Sequence, residues 1–137
     1  MCQMHGTTIS MNGRGLLILG PSGSGKSSLA LQLMAVGAEL VADDRTDLRR
    51  DGDAIIASCP EVLVGQIEAR GVGILAAMTS DPVQLHAVID LGQQEEQRLP
   101  LEHELELLGL RLPLVFGPYR PHLYAALRQF LLAGRMM

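Results

Sequence analysis

Residues Gly20-Pro21-Ser22-Gly23-Ser24-Gly25-Lys26-Ser27 carry the pattern G-x-x-x-x-G-K-[ST], and each residue type in it has its own chemical reason. Glycines at 20, 23 and 25 let the backbone turn so that successive N–H groups point at one anion. A helix opening at Lys26 adds the positive end of its dipole to that field. The Lys26 ammonium can reach β- and γ-phosphates, and the Ser27 hydroxyl can ligate Mg²⁺. Of the 11 basic residues, Lys26 is the sole lysine and the rest are arginines. A glycine-rich turn that merely caps a helix would need none of this combination, so the segment is expected to bind nucleotide phosphates.

Two further groups could complete a site. Asp43-Asp44 ends a short apolar run. Carboxylates at a strand's carboxyl end face the ligand crevice of an open α/β sheet, where one can hold Mg²⁺ through water and the other can take a proton from an attacking hydroxyl. A solvated turn is the bland alternative, since Arg45 and Asp47 follow. Glu68 and Arg70, in Gln66-Ile67-Glu68-Ala69-Arg70-Gly71-Val72-Gly73, point the same way if the segment is extended. A surface ion pair would explain that pattern equally well.

These groups must be held by regular elements. Gly15–Leu19 reads as a buried strand feeding the loop. Leu29, Leu33 and Val36 keep helical spacing after Lys26, and Gly37 stands where a glycine stops a helix. Glu39–Ala42 reads as the next strand. Strand, helix and strand in about thirty residues make a βαβ unit, which predicts that the two strands pair in parallel. Asp51-Gly52 signals a hairpin between Leu48-Arg49 and Ala54–Ala57. Gly71–Ala76 reads as a strand whose glycines allow close approach. Val83–Leu91 alternates as a strand, and weaker strands are expected around Leu105–Leu110 and Leu112–Phe116. Pro121 suits the first turn of a last helix with Leu123, Leu127, Phe130 and Leu131 on its apolar face. The expected fold is α/β, with a mixed, largely β central sheet and few helices.

The bulk properties narrow the field. The chain has 137 residues, 47% hydrophobic and 19% charged, with a net charge of −4. Residues 1–137 are read as one domain with a real core. No apolar run reaches the roughly 18 residues that span a bilayer, and Met1–His5 lacks the charge and apolar runs of a secretory signal. Mild acidity without a Lys/Arg block, and only two Phe, two Tyr and no Trp, argue against a nucleic-acid surface. Cys2 and Cys59 have no CxxC partner, which suggests neither a zinc site nor a disulfide framework. A reduced cytoplasmic setting follows most simply.

Taken in order, Met4-His5-Gly6, the phosphate loop, Leu40-Val41-Ala42-Asp43-Asp44 and Ile67-Glu68-Ala69-Arg70-Gly71-Val72-Gly73-Ile74 resemble the catalytic domain of the HPr kinase/phosphorylase family. The last segment resembles the family signature. The resemblance covers roughly residues 4 to 76, continuing more weakly to Pro113. It implies a P-loop fold of the HPr kinase and PEP carboxykinase kind, and an ATP-dependent serine kinase acting on the phosphocarrier HPr or a relative, assembled as a hexamer. Lys26 and the loop would bind ATP, and Ser27 and Glu68 would ligate Mg²⁺. Asp44 would be the general base with Asp43 supporting it, although the resemblance does not separate the two firmly. His5 and Arg70 would belong to the site. Arg98, in Glu96-Gln97-Arg98-Leu99-Pro100, would be the downstream catalytic arginine. The chain resembles the short form without an N-terminal domain, and its late segment Leu114–Arg120 matches the loop of phosphorolysis poorly. A kinase with a small-molecule substrate and a nucleotide sensor remain as alternatives; a sensor would have no use for a base at Asp44.

Overall fold

Asn12 and Gly13 adopt positive φ of 52° and 76°, the two-residue turn whose twist matches that of paired strands. They join β2 (Thr7–Met11) to β3 (Arg14–Leu19) as an antiparallel hairpin. The computed structural model describes residues 2–96, 98 and 102–134. Helix α1 (Lys26–Ala35) and strand β4 (Glu39–Ala42) follow where the pattern predicts them. Gly37, at φ 111°, ends the helix: its N–H donates to the Met34 carbonyl at 3.2 Å, and the Ala38 N–H reaches Leu33 at 3.0 Å.

The expected parallel pairing of β3 with β4 does not occur. Strand β4 pairs antiparallel with β2, which lies between them. The β2–β3 hairpin closes through two residues, whereas β4 returns only after a helical crossover; it takes the outer edge of β2, the outer edge of β3 being filled by the strand Val83–Gln94. Both β3 and β4 run antiparallel to β2, so they still point the same way and their carboxyl ends share one edge of the sheet.

The remaining elements are β1 (Cys2–His5), β5 (Arg45–Asp51), β6 (Ala54–Ser58), a 3-10 turn (Glu61–Leu63), β7 (Gln66–Ala69), β8 (Gly73–Ala76), β9 (Val83–Gln94), β10 (His103–Leu107), β11 (Leu110–Gly117) and α2 (Leu123–Ala133). The main sheet has nine strands in the order β1-β5-β6-β9-β3-β2-β4, with β11 beside β9 and β10 outside it; β7 and β8 form a separate ribbon. Strand β9 pairs in parallel with β3 and β11 and antiparallel with β6. The sheet is therefore mixed, as expected, and among the described residues only α1 and α2 are α-helices.

One face of the sheet buries Leu16, Ile18, Ala87 and Ile89 against Leu29 and Leu33 of α1 and Leu123, Leu127 and Leu131 of α2. The other buries Leu17, Val41, Leu85 and Val88 against Leu48 and Ile55 of the β5–β6 hairpin. A register shift opposite Gly15-Leu16 puts Leu85 and Ala87 on opposite faces, so the simple alternation read for Val83–Leu91 breaks there.

Other boundaries move for local reasons. The strand expected from Gly71 starts at Gly73, because Gly71-Val72 form the turn of the β7–β8 ribbon. Gly71 and Gly73 have φ of 82° and 136°, which suit the turn, and among the described residues nothing packs closely against either. Leu108 and Gly109, both at positive φ, split the segment read as Leu105–Leu110 into the end of β10 and the start of β11. Pro121 lies in the turn ahead of α2 and not inside it. Among the described residues, no helix is long and apolar enough to cross a membrane.

Candidate active site

The shared edge of β2, β3 and β4 opens into a cleft of about 300 Å³, lined by the Ser22–Ser28 loop, Thr7, Asp43, Asp44, Glu68, Arg70 and Tyr119. The loop leaves β3 with Gly20, Gly23 and Gly25 at φ of 148°, 81° and 103°, backbone that a side chain would strain. Gly25 caps α1 without any side-chain partner, which leaves N–H groups of the first helical turn free to meet an anion. The Lys26 ammonium donates to the carbonyls of Gly20 at 2.7 Å and Pro21 at 3.2 Å, so it lies along the loop that it closes. Ser24 Oγ is buried and has no hydrogen-bond partner among the described residues.

Asp43 is the hub of the opposite wall. It is only 8% exposed, and its Oδ1 accepts from the Ser27 hydroxyl at 2.9 Å and from the Thr7 hydroxyl at 3.0 Å. Its Oδ2 accepts the Glu68 backbone N–H at 2.9 Å. One carboxylate thereby ties the start of β2, the start of α1 and the β7–β8 ribbon to the end of β4. Its charge also reaches Cys59: burial pushes that thiol above its ordinary range, and Asp47 and Asp43 add to the shift.

Asp44 is different. It is exposed, has φ of 67°, and sits in a tight turn in which the Arg45 N–H donates to the Asp43 carbonyl at 2.7 Å. The Asp44 carbonyl accepts from the Gly6 N–H at 2.9 Å, which pins the turn to the β1–β2 junction. Its carboxylate makes no hydrogen bond or ion pair among the described residues and borders the cleft. A non-glycine residue held in such a turn is strained by about 1–3 kcal/mol, a feature that concentrates at functional sites.

The structure thus brings Lys26, Ser27, Asp43, Asp44, Glu68 and Arg70 to one cleft. The Arg70 guanidinium lies against the loop, 3.5 Å from where a Cβ on Gly23 would stand. Gly20 and Pro21 act through the carbonyls that hold Lys26 and do not line the cleft. His5 is exposed at the end of β1, paired in register with Arg45, and is not part of the lining. Arg98 is exposed and also outside the lining, while Gln97 and residues 99–101 around it lie outside the described residues. Thr7 and Tyr119 are cleft residues that the motifs did not single out. The Asn12-Gly13 turn signal would have found Thr7 by extending β2 backwards; Tyr119 had no such signal.

The donors fit a nucleotide with its magnesium ion. Among the described residues no three His, Cys, Asp or Glu side chains cluster as a metal cage. Mg²⁺ at phosphoryl-transfer sites is held by one or two carboxylates, a hydroxyl and the phosphates themselves, and Ser27, Asp43 and Glu68 supply that kind of set. The orphaned Ser24 hydroxyl and the uncapped helix start suit the phosphates.

Comparison with known proteins identifies the family and the fold. Residues 1–108 match the model of the HPr Serine kinase C-terminal domain. An HPr kinase/phosphorylase of Geobacillus thermodenitrificans is 40% identical over 131 residues, covering 86% of this chain and 42% of that protein. One from Clostridium botulinum is 35% identical over 136 residues, covering 87% and 43%. The chain therefore spans about two fifths of the length of these curated relatives. The solved structure of the Hpr(Ser) kinase/phosphatase from Coxiella burnetii superposes with a TM-score of 0.80 at 29% identity, covering 94% of this chain and 93% of that one. With its loop, acidic pair and ribbon set around one cleft, and with four fifths of its length matched, the chain belongs to the HPr serine kinase C-terminal domain family.

Proposed function

We propose that the chain is the catalytic domain of an ATP- and Mg²⁺-dependent kinase that phosphorylates a serine of HPr or a related phosphocarrier protein. The observation that carries this reading is the unlike environment of the two adjacent aspartates: Asp43 is buried and hydrogen-bonded, while Asp44 is exposed to the cleft with an unengaged carboxylate. A nucleotide sensor needs the first arrangement but has no need of the second.

ATP, when bound, supplies the phosphoryl group, and Mg²⁺ spreads its charge. Lys26, the free N–H groups at the start of α1 and the Ser24 hydroxyl would hold the phosphates, with Ser27 and Glu68 as ligands toward the metal. Asp44 accepts the proton of the incoming serine hydroxyl as its oxygen bonds to phosphorus and the bond to the departing diphosphate breaks. Arg70 offsets charge at the mouth of the cleft. Among the described residues, Lys26 and Arg70 are the only basic side chains in the lining, which favours transfer to serine over phosphorolysis, where a second anion must be crowded in.

Incubation with ATP, Mg²⁺ and purified HPr, followed by intact mass, tests the reading. One phosphoryl group gained on a serine is the expected result. Tight ATP binding with no transfer to HPr would instead favour a sensor.

A further inference from the structure

The geometry points to Tyr119 as the residue that receives the nucleoside, so that its ring, and not the phosphate loop, separates a nucleotide from a bare inorganic polyphosphate. This rests on the phosphate-binding reading of the cleft. Among the described residues that line the cleft, Tyr119 alone is aromatic; the others are glycines, hydroxyls and charged groups. Those groups suit phosphates and a metal. The base of a nucleotide is flat and largely apolar, and the Tyr119 ring is the flat apolar surface that the cleft offers it.

The ring is held in place from behind. Tyr119 is half-buried and packs against the core beneath α1. Its Cβ, Cγ and Cδ1 lie so close to Gly25 that a Cβ there would stand 3.0–3.1 Å from them. Gly25 is the residue at which the loop becomes α1, so the aromatic wall rises directly beside the phosphate-binding turn. The Tyr119 hydroxyl makes no hydrogen bond among the described residues, so the ring and not the phenol oxygen carries the role. Stacking on such a face tolerates any base, because every base has a π-surface. A ring that merely props Gly25 in its backbone conformation would affect phosphates and nucleotides alike.

The experiment is calorimetric titration of the full chain with Mg²⁺-ATP, Mg²⁺-GTP and Mg²⁺-tripolyphosphate, for wild type, Tyr119→Phe and Tyr119→Ala. Tyr119→Ala should weaken both nucleotides by about ten- to a hundredfold, the scale of losing one stacked base, and leave tripolyphosphate binding unchanged. Tyr119→Phe should match wild type for all three. Equal loss of tripolyphosphate and ATP in Tyr119→Ala would show that the ring is only a prop, and no loss for either would show that the base lies elsewhere; both results overturn the inference. Should the wild type bind neither ATP nor tripolyphosphate, the phosphate-site reading itself fails and this inference with it. Tyr119→Leu, which keeps apolar bulk beside Gly25 without a π-face, covers the case in which Tyr119→Ala does not fold: it should weaken both nucleotides and spare tripolyphosphate, and wild-type nucleotide affinity in it would overturn the inference.

Discussion

Neighbouring aspartates of like chemistry should give opposite phenotypes. Replacing Asp43 with Ala removes three hydrogen bonds to a carboxylate, from Thr7, Ser27 and the Glu68 N–H, each worth about 1.5–3 kcal/mol. It also ends the desolvation of a buried charge, which costs several kcal/mol per ion. The difference leaves a net destabilisation of about 3–4 kcal/mol, with the fully buried Thr7 hydroxyl losing its acceptor. At about 2 cal/mol/K of unfolding entropy per residue, a chain of 137 residues loses about 3–4 °C of melting temperature per kcal/mol, so Asp43→Ala should melt about 10–14 °C below wild type. Asp44 has no such partners, and Asn tolerates its positive φ nearly as well as Asp. Asp44→Asn should therefore melt within about 2 °C of wild type, bind Mg²⁺-ATP normally, and transfer phosphate at least about 10²-fold more slowly. Scanning calorimetry and a single-turnover transfer assay by intact mass read both effects. If Asp43→Ala melts like wild type, or Asp44→Asn is the unstable one, the hub has been placed on the wrong carboxylate. If Asp43→Asn stops transfer while Asp44→Asn is mild, the two roles are reversed.

Lys26→Ala removes the loop's only cationic side chain and should weaken ATP binding by at least about tenfold and abolish transfer; unchanged affinity in calorimetry would contradict the phosphate loop. Leu127 is 2% exposed between α2 and the sheet, and Leu127→Ala should cost about 2–5 kcal/mol in urea unfolding without touching the cleft. The Cys59 thiol is raised by burial and by Asp47 and Asp43. The folded state therefore holds the Cys59 proton more tightly than the unfolded one, so its contribution to stability is present at neutral pH and lost as pH rises through the raised thiol range. Iodoacetamide should modify Cys59 more slowly than a free thiol at pH 8, and Asp47→Asn should speed that reaction. Serine-phosphorylated HPr incubated with Mg²⁺ and millimolar phosphate should release little pyrophosphate; release as fast as the forward reaction would show that two basic side chains suffice for phosphorolysis.

The local signals around α1 and β4 match the structure, whereas the strand boundaries near Gly71 and Leu108 and one topological inference do not. Gly37 and the apolar spacing of Leu29 and Leu33 fixed α1, and Glu39–Ala42 was bounded by turn residues, so these elements stand where their residues imply. Partnership between strands is a different matter. The βαβ inference assumed that β4 returns to the strand that launched the helix, but Asn12-Gly13 assigns one edge of β3 to β2 and β9 takes the other. The signal was present in Thr7–Met11, whose Thr7, Thr8 and Ile9 are β-branched, followed by the strongest hairpin dipeptide. Registers such as the shift at Gly15-Leu16 answer to packing on both faces at once, and no window of residues encodes that.

The site was more legible than the topology because the error cancels there. Phosphate loop and acidic pair need only share an edge of the sheet, and they do so whether β4 pairs with β3 or lies one strand beyond it. The intervening strand adds something: it places Thr7 between the two carboxyl ends, where its hydroxyl bonds Asp43 at 3.0 Å and fills a gap that a direct β3–β4 pair would not have. The identical letters at 43 and 44 do not by themselves show that the surroundings of the two carboxylates divide. That division arises from one backbone conformation, the turn at Asp44 with φ of 67°, which breaks the strand and sends successive carboxylates to different surroundings. Relaxing the turn tests this directly. Asp44→Gly removes the penalty of the left-handed conformation, about 1 kcal/mol, and should raise the melting temperature by about 3 °C while stopping transfer. A variant at once more stable and inactive would mark Asp44 as a residue held under strain for its chemistry; a loss of stability would show instead that the carboxylate helps to hold the turn.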